Sequence, residues 1–209
     1  VLLKTVGKNS LMLGMFAVVT AGLLAFTYVN TKDRIAEQER RAAEAALLDI
    51  LPRSTHDNNM LEDTWQIPDA DLAELGLHDP SKIYLAKRGT RVVAAIIPAI
   101  AADGYGGDIK LIAGVSADGS IAGVRVISHK ETPGLGDRID LRKSNWILSF
   151  DGKSLRSPPL DKWKVKKDGG AFDQLTGATI TPRAVVRQVR DILVFAQKHH
   201  SDIFSAGTP

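Results

Sequence analysis

Cysteine is absent from all 209 residues. That lack excludes disulfides, iron–sulfur clusters, thioether-linked haem, thiolate zinc sites and cysteine nucleophiles. Any redox chemistry in this chain therefore needs an organic cofactor. An excess of one charge is also missing: 27 Lys and Arg stand against 24 Asp and Glu, for a net +3. The basic residues alternate with acidic ones and are not gathered into a stripe with aromatics, which argues against nucleic-acid binding. Neither a Gly-x-Gly-x-x-Gly dinucleotide fingerprint nor the Gly-Lys-Ser/Thr end of a Walker loop occurs, and there is no internal repeat or low-complexity tract. The 5 histidines, His56, His78, His129, His199 and His200, show no metal-ligand spacing, so no protein-built metal site is expected.

A composition that is 44% hydrophobic, with a mean hydropathy of -0.05, is that of a folded protein, and the length suits one domain with accessories. Residues 9–31 carry no charge, and Leu11–Val29 is almost wholly apolar. Such a run can cross a hydrocarbon core of about 30 Å, which takes roughly 20 helical residues. Lys4 and Lys8 precede it, so the positive-inside bias puts residues 1–8 in the cytoplasm, 9–31 across the membrane and the chain beyond 32 outside. A cleaved signal peptide is the competing reading, but the run exceeds a usual h-region and no small-x-small cleavage site follows Tyr28. A buried core helix would need a larger surrounding core than the polar remainder supplies.

Residues 32–52 are rich in Ala, Glu, Arg and Leu and end at Pro52, which predicts a stalk helix, solvated over most of its length and buried near its far end at Leu47, Ile50 and Leu51. The remaining 53–209 read as one extracytoplasmic domain. Its first part, 53–80, reads as loops with room for one short element. Strand-like runs follow at Lys82–Lys87, Arg91–Ala99, Ile109–Val115 and Ser120–His129, joined by short Gly-containing connections that favour antiparallel hairpins. Arg138–Phe150 has a helical apolar rhythm, and Pro182–His200 a stronger one. The expected fold class is α+β: a transmembrane helix and a stalk helix, then an antiparallel sheet with packed helices.

The segment Asp173-Gln-Leu-Thr176-Gly177-Ala178-Thr179-Ile-Thr181-Pro182 runs straight into the last helix. Thr181 can be the N-cap and Pro182 the first helical residue, where a missing N–H costs nothing. The free N–H groups and positive dipole end would then favour an anion such as a phosphate beside Thr176, Gly177, Ala178 and Thr179. By itself this pattern is also what an ordinary helix start looks like.

Asp173-x-x-Thr176-Gly177-Ala178-Thr179 resembles the flavinylation motif Asp-x-x-(Ser/Thr)-Gly-Ala-(Ser/Thr) of the FMN-binding domain family. In that family the last hydroxyl residue forms a phosphoester with FMN, which implies Thr179 as the attachment site of one covalent FMN. The wider chain is similar to the G subunits of Rnf-type (Rsx) ion-translocating electron-transport complexes, and more distantly to the C subunits of sodium-translocating NADH:quinone oxidoreductases. Glu131-Thr132-Pro133-Gly134-Leu135-Gly136-Asp137 resembles the family's second signature, which implies that Thr132 and Leu135 touch the flavin; a plain Pro-Gly turn is the alternative. Asp103-Gly104-Tyr105-Gly106-Gly107 is similar to the loop that brings an aromatic near the cofactor, here Tyr105, although Gly-rich hairpin tips also carry exposed tyrosines. Lys166, or its neighbour Lys167, corresponds to a lysine that approaches the flavin, unless the pair is only a solvated face.

The resemblance further implies a separate FMN transferase for maturation, partner subunits in the bacterial inner membrane, and a periplasmic C-terminal domain. The function it implies is electron relay in a complex that couples electron flow between NADH and ferredoxin to ion movement. An anchored assembly or binding module of the same fold without flavin, and a membrane sensor domain, are the rival classes.

Overall fold

The computed structural model describes residues 2–205, with side chains described for 10–28 and 44–205. One long helix, α1, runs from Leu2 to Ile50. Within it Ser10–Tyr28 has a mean hydropathy of 2.0 and no buried side chain, with Leu11, Phe16, Leu24 and Phe26 each exposed by two thirds or more. A helix that is apolar all round and uncovered by protein is long and greasy enough to cross a bilayer.

The chain divides into two compact units, residues 1–45 and 46–209. The last helical turn therefore belongs to the second unit, where Leu47, Ile50 and Leu51 are buried. Burial at Leu47, Ile50 and Leu51 matches what the sequence predicts for the end of 32–52, whereas the solvated length expected before it falls mostly on side chains outside the described residues.

The second unit is built on a five-stranded antiparallel meander in sequence order: β1 (Thr64–Gln66), β2 (Lys82–Arg88), β3 (Arg91–Gly104), β4 (Gly107–Ser116) and β5 (Ile121–Ser128). The sheet is covered on both faces, which is why β3 reads as an unbroken apolar run. Ala95, Ile97, Ala99 and Ala101 face the main core, whereas Ala94 and Ile96 face a smaller cluster with Leu47, Ile50, Leu51 and Met60. Pro98 pairs with Ile112 on β4, beyond the last β2 partner of β3, Tyr84, so its missing N–H removes no rung from that side. Ile50 seats on the facing pair Gly114 and Gly123, where a Cβ on Gly114 would lie 2.5 Å from its Cγ2.

The main core is closed by α2 (Ile180–Lys198), which lays Val185, Val189, Ile192 and Phe195 on the sheet, and by the short α3 (His200–Phe204). The α+β architecture expected from the sequence is thus present. Two local expectations fail. Arg138–Phe150 is not one helix but two 3-10 turns, Gly136–Ile139 and Asn145–Phe150. Asp140 breaks the run: its backbone is extended (φ -76, ψ 129), its carboxylate accepts from Arg142, and Ser144 caps a fresh turn by accepting the Trp146 N–H. The apolar rhythm survives because Ile139, Ile147 and Phe150 are all buried, the last stacked on Phe172 at 4.8 Å. The second failure concerns the start of α2 and bears on the site.

Candidate functional site

Three chain segments converge at the N-terminal end of α2. The first is the approach to the helix itself. A turn closes from Leu175 to Ala178, whose N–H donates to the Leu175 carbonyl at 3.0 Å. Gly177 takes φ +81, the left-handed region that a residue with a Cβ resists, and a Cβ there would lie 2.8 Å from Leu135 Cδ2. Helical geometry begins at Ile180, preceded by Thr179 with φ -93 and ψ -32.

Thr181 is consequently not the N-cap. It lies inside the first turn, fully buried, and its hydroxyl donates to Glu131 Oε2, a partner fifty residues away in the chain. Thr179 occupies the capping position without a side-chain capping bond and is half-buried. The two hydroxyls thus differ sharply: that of Thr181 is locked in the protein, whereas that of Thr179 makes no capping bond.

The second segment is the loop after β5. Thr132 O accepts the Leu135 and Gly136 N–H groups at 3.1 Å, with Gly134 at φ +78, and the resulting turn presents Leu135 at 40% exposure over Gly177. The Pro-Gly turn thus also lines the cleft described below. The third segment is the β3–β4 hairpin tip, where Gly104 pairs with Gly107 and Tyr105 stands 69% exposed. An ion pair between Asp103 and Arg187 ties this tip to α2.

Together the segments enclose an open cleft of about 380 Å³ lined by Tyr105, Glu131, Thr132, Leu135, Gly136, Gly177, Ala178, Thr179, Ile180 and Thr181. Seven residues that the sequence points to, Tyr105, Thr132, Leu135, Gly177, Ala178, Thr179 and Thr181, meet there. Thr176 is exposed and lies outside the lining, and Lys166 is paired with Asp173 at 2.6 Å on the surface. The neighbouring Asp168 takes a two-pronged bond from Arg183, at 2.6 and 2.5 Å, which holds its carboxyl below the usual range and fixes the lysine-bearing turn to α2. Sequence reasoning misses Glu131, Gly136 and Ile180 as site residues. The signal for Glu131 is an acid placed directly before a Pro-Gly turn at a strand end; Ile180, between two threonines, carries no signal of its own.

The cleft fits a molecule with a flat apolar part and an anionic tail. Tyr105, Leu135, Ala178 and Ile180 offer apolar surface, whereas the first N–H groups of α2 lack intrahelical acceptors and carry the positive end of the helix dipole. Its volume falls at the small end of ligand sites, roughly 300–1,000 Å³.

Comparison with known proteins agrees. Residues 104–194 match the model of the FMN-binding domain, and residues 2–50 match that of the RnfG N-terminal region. The chain is 47% identical over 203 residues to the G subunit of the ion-translocating oxidoreductase complex of Pseudoalteromonas atlantica, covering 97% of this chain and 94% of the relative. This chain belongs to that family of G subunits. Further members are those of Pseudomonas aeruginosa, 51% identical over 89% of this chain and 86% of the relative, and Vibrio cholerae, 44% identical over 100% and 98%. The stretch matched by the FMN-binding domain begins in the Tyr105 hairpin and ends within α2, so in this member of the G-subunit family it contains the whole cleft.

Proposed function

We propose that this G-subunit homologue carries FMN esterified through its phosphate to the Thr179 hydroxyl, and serves as an electron carrier in a membrane-bound complex that couples electron flow between NADH and ferredoxin to ion movement. The observation that carries the reading is the unbonded capping position of Thr179, half-buried in the cleft at the start of α2 while Thr181 is engaged elsewhere.

The linkage is made by an FMN transferase using FAD. The Thr179 oxygen attacks the phosphorus on the riboflavin side of the FAD pyrophosphate, the P–O bond to the AMP half breaks, AMP leaves and the hydroxyl proton goes to solvent. A phosphate ester at Thr179 would be held by the first N–H groups of α2, whose partial positive charge would stabilise an anion. Tyr105, Leu135 and Ile180, which line the cleft, would shield the ring of a bound flavin from water. Electron exchange is the chemistry that the flavin supplies when bound; the protein supplies position and electrostatics.

Lys4 and Lys8 orient α1 with the N-terminus in the cytoplasm, which puts the domain on the periplasmic side of the inner membrane. A covalent flavin suits that side, since a dissociable one would be lost.

Intact mass of the chain co-produced with a transferase tests the proposal. The wild type and Thr176→Ala gain one FMN less water, whereas Thr179→Ala remains folded and colourless. A wild-type mass equal to that of the amino acids alone would instead favour a flavin-free module of this fold.

A further inference from the structure

A carboxylate lies at the floor of the cleft, on a residue only 4% exposed. Both oxygens of Glu131 are committed. Oε1 accepts the Gly106 N–H at 2.8 Å, and Oε2 accepts the Thr181 hydroxyl. The donors come from the hairpin tip and the first turn of α2, and Glu131 itself opens the 131–137 loop, so all three walls of the cleft meet at one side chain.

The backbone is cleared around that carboxylate. A Cβ at Gly104 would lie 2.4 Å from the Gly107 carbonyl oxygen and 2.8 Å from Oε1, and one at Gly136 would lie 2.8 Å from Thr181 Oγ1 and 2.9 Å from Oε2. A side chain at either position would therefore crowd the carboxylate together with its nearest neighbour, the Gly107 carbonyl in one case and the Thr181 hydroxyl in the other.

We propose that Glu131 is a positioning residue that clamps the Tyr105–Gly106 turn, the Thr132–Gly136 loop and the start of α2 into one cleft, and that its negative charge opposes further negative charge on a group bound there. The inference rests on the FMN reading above for its electrostatic half only. Both Glu131 oxygens are hydrogen-bonded, to Gly106 and Thr181, and bonds to a carboxylate are stronger than neutral ones. Without it, the Gly106 N–H and the fully buried Thr181 hydroxyl lose their acceptor. A reduced, anionic flavin over that floor would meet like charge, which lowers its tendency to accept electrons.

The test uses the full chain in detergent micelles, first without flavin. Amide exchange at Gly106 is compared in wild type, Glu131→Ala, Glu131→Gln and Thr179→Ala. Glu131→Ala accelerates exchange about tenfold or more, the loss expected for a charge-assisted bond. Glu131→Gln keeps the clamp, because the amide can accept from Gly106 and donate to the Thr181 oxygen, and Thr179→Ala leaves exchange unchanged. The same chains are then treated with transferase and FAD. Glu131→Ala loads several-fold more slowly, while loaded Glu131→Gln shows a higher flavin midpoint potential than wild type, a change that a purely structural role would not produce. Wild-type exchange in Glu131→Ala overturns the clamp, and an unchanged or lower potential in Glu131→Gln overturns the charge effect. Were even the wild type to take up no flavin, the FMN reading and the charge effect would fall together, while the exchange comparison would still decide the clamp.

Discussion

At the scale of single residues, the site depends on where side chains are missing as much as on where they are. Gly177 illustrates both demands on glycine, since φ is +81 and the space for a Cβ is taken by Leu135. Gly177→Ala should cost about 1–2 kcal/mol from the left-handed backbone, with an added steric part from Leu135. Pairing it with Leu135→Ala removes only the steric part. Denaturant unfolding of the single and double variants should therefore show recovery of part of the loss; complete recovery would mean that the backbone conformation is not strained. The hydroxyls make the same point about context. The sequence offers Thr181 as the N-cap, and the fold moves it inside the helix, because what engages its hydroxyl is a residue fifty positions away.

At the scale of elements, the hairpins are readable from the sequence because their turns carry glycine at short spacing and their strands are β-branched and apolar. The three residues of β1 are not, since Thr64–Gln66 is a strand only by virtue of pairing with Lys82–Tyr84. The rhythm of α2 is plain, yet its first turn is misread from sequence because a buried carboxylate outcompetes capping for the Thr181 hydroxyl. The 138–150 stretch shows that helical spacing of apolar residues also suits two tight turns around an acid. Edge pairing is reinforced by Asp63, whose carboxyl is held below its ordinary 3.8 first by the Lys87 hydrogen bond on β2 and then by Asn58, against the opposing effect of burial. A depressed folded pKa means stability that is present above the unfolded value and is lost as pH falls through the folded one. Asp63→Asn should thus be less stable than wild type at pH 7 and pH 5, with the gap shrinking once the pH drops below about 3.9. Urea titrations at about pH 7, 5 and 3, which bracket that value, measure it, and a gap of constant size would show that the ion pair contributes nothing through charge.

At the scale of the whole molecule, a sequence reading naturally divides the chain at Pro52, where helix composition ends. Packing divides it earlier. Leu47, Ile50 and Leu51 are each no more than 5% exposed, Ile50 is seated on the Gly114–Gly123 pair, and Asp49 accepts from Arg125 Nε at 3.1 Å. The helix end from residue 46 is thus the cover for the second face of the sheet, and it is hard to remove without exposing that face. Burying a large aliphatic side chain contributes roughly 1.5–3 kcal/mol, so losing all three removes on the order of 5 kcal/mol, comparable to the entire stability of a marginal domain. Two soluble fragments separate the possibilities. Residues 46–209 should unfold with the stability of the domain in the full chain, and residues 53–209 should be unfolded or several kcal/mol weaker by denaturant titration. Equal stability of the two fragments would mean that the last turn of α1 merely rests on the sheet, and that the domain begins where the helix ends.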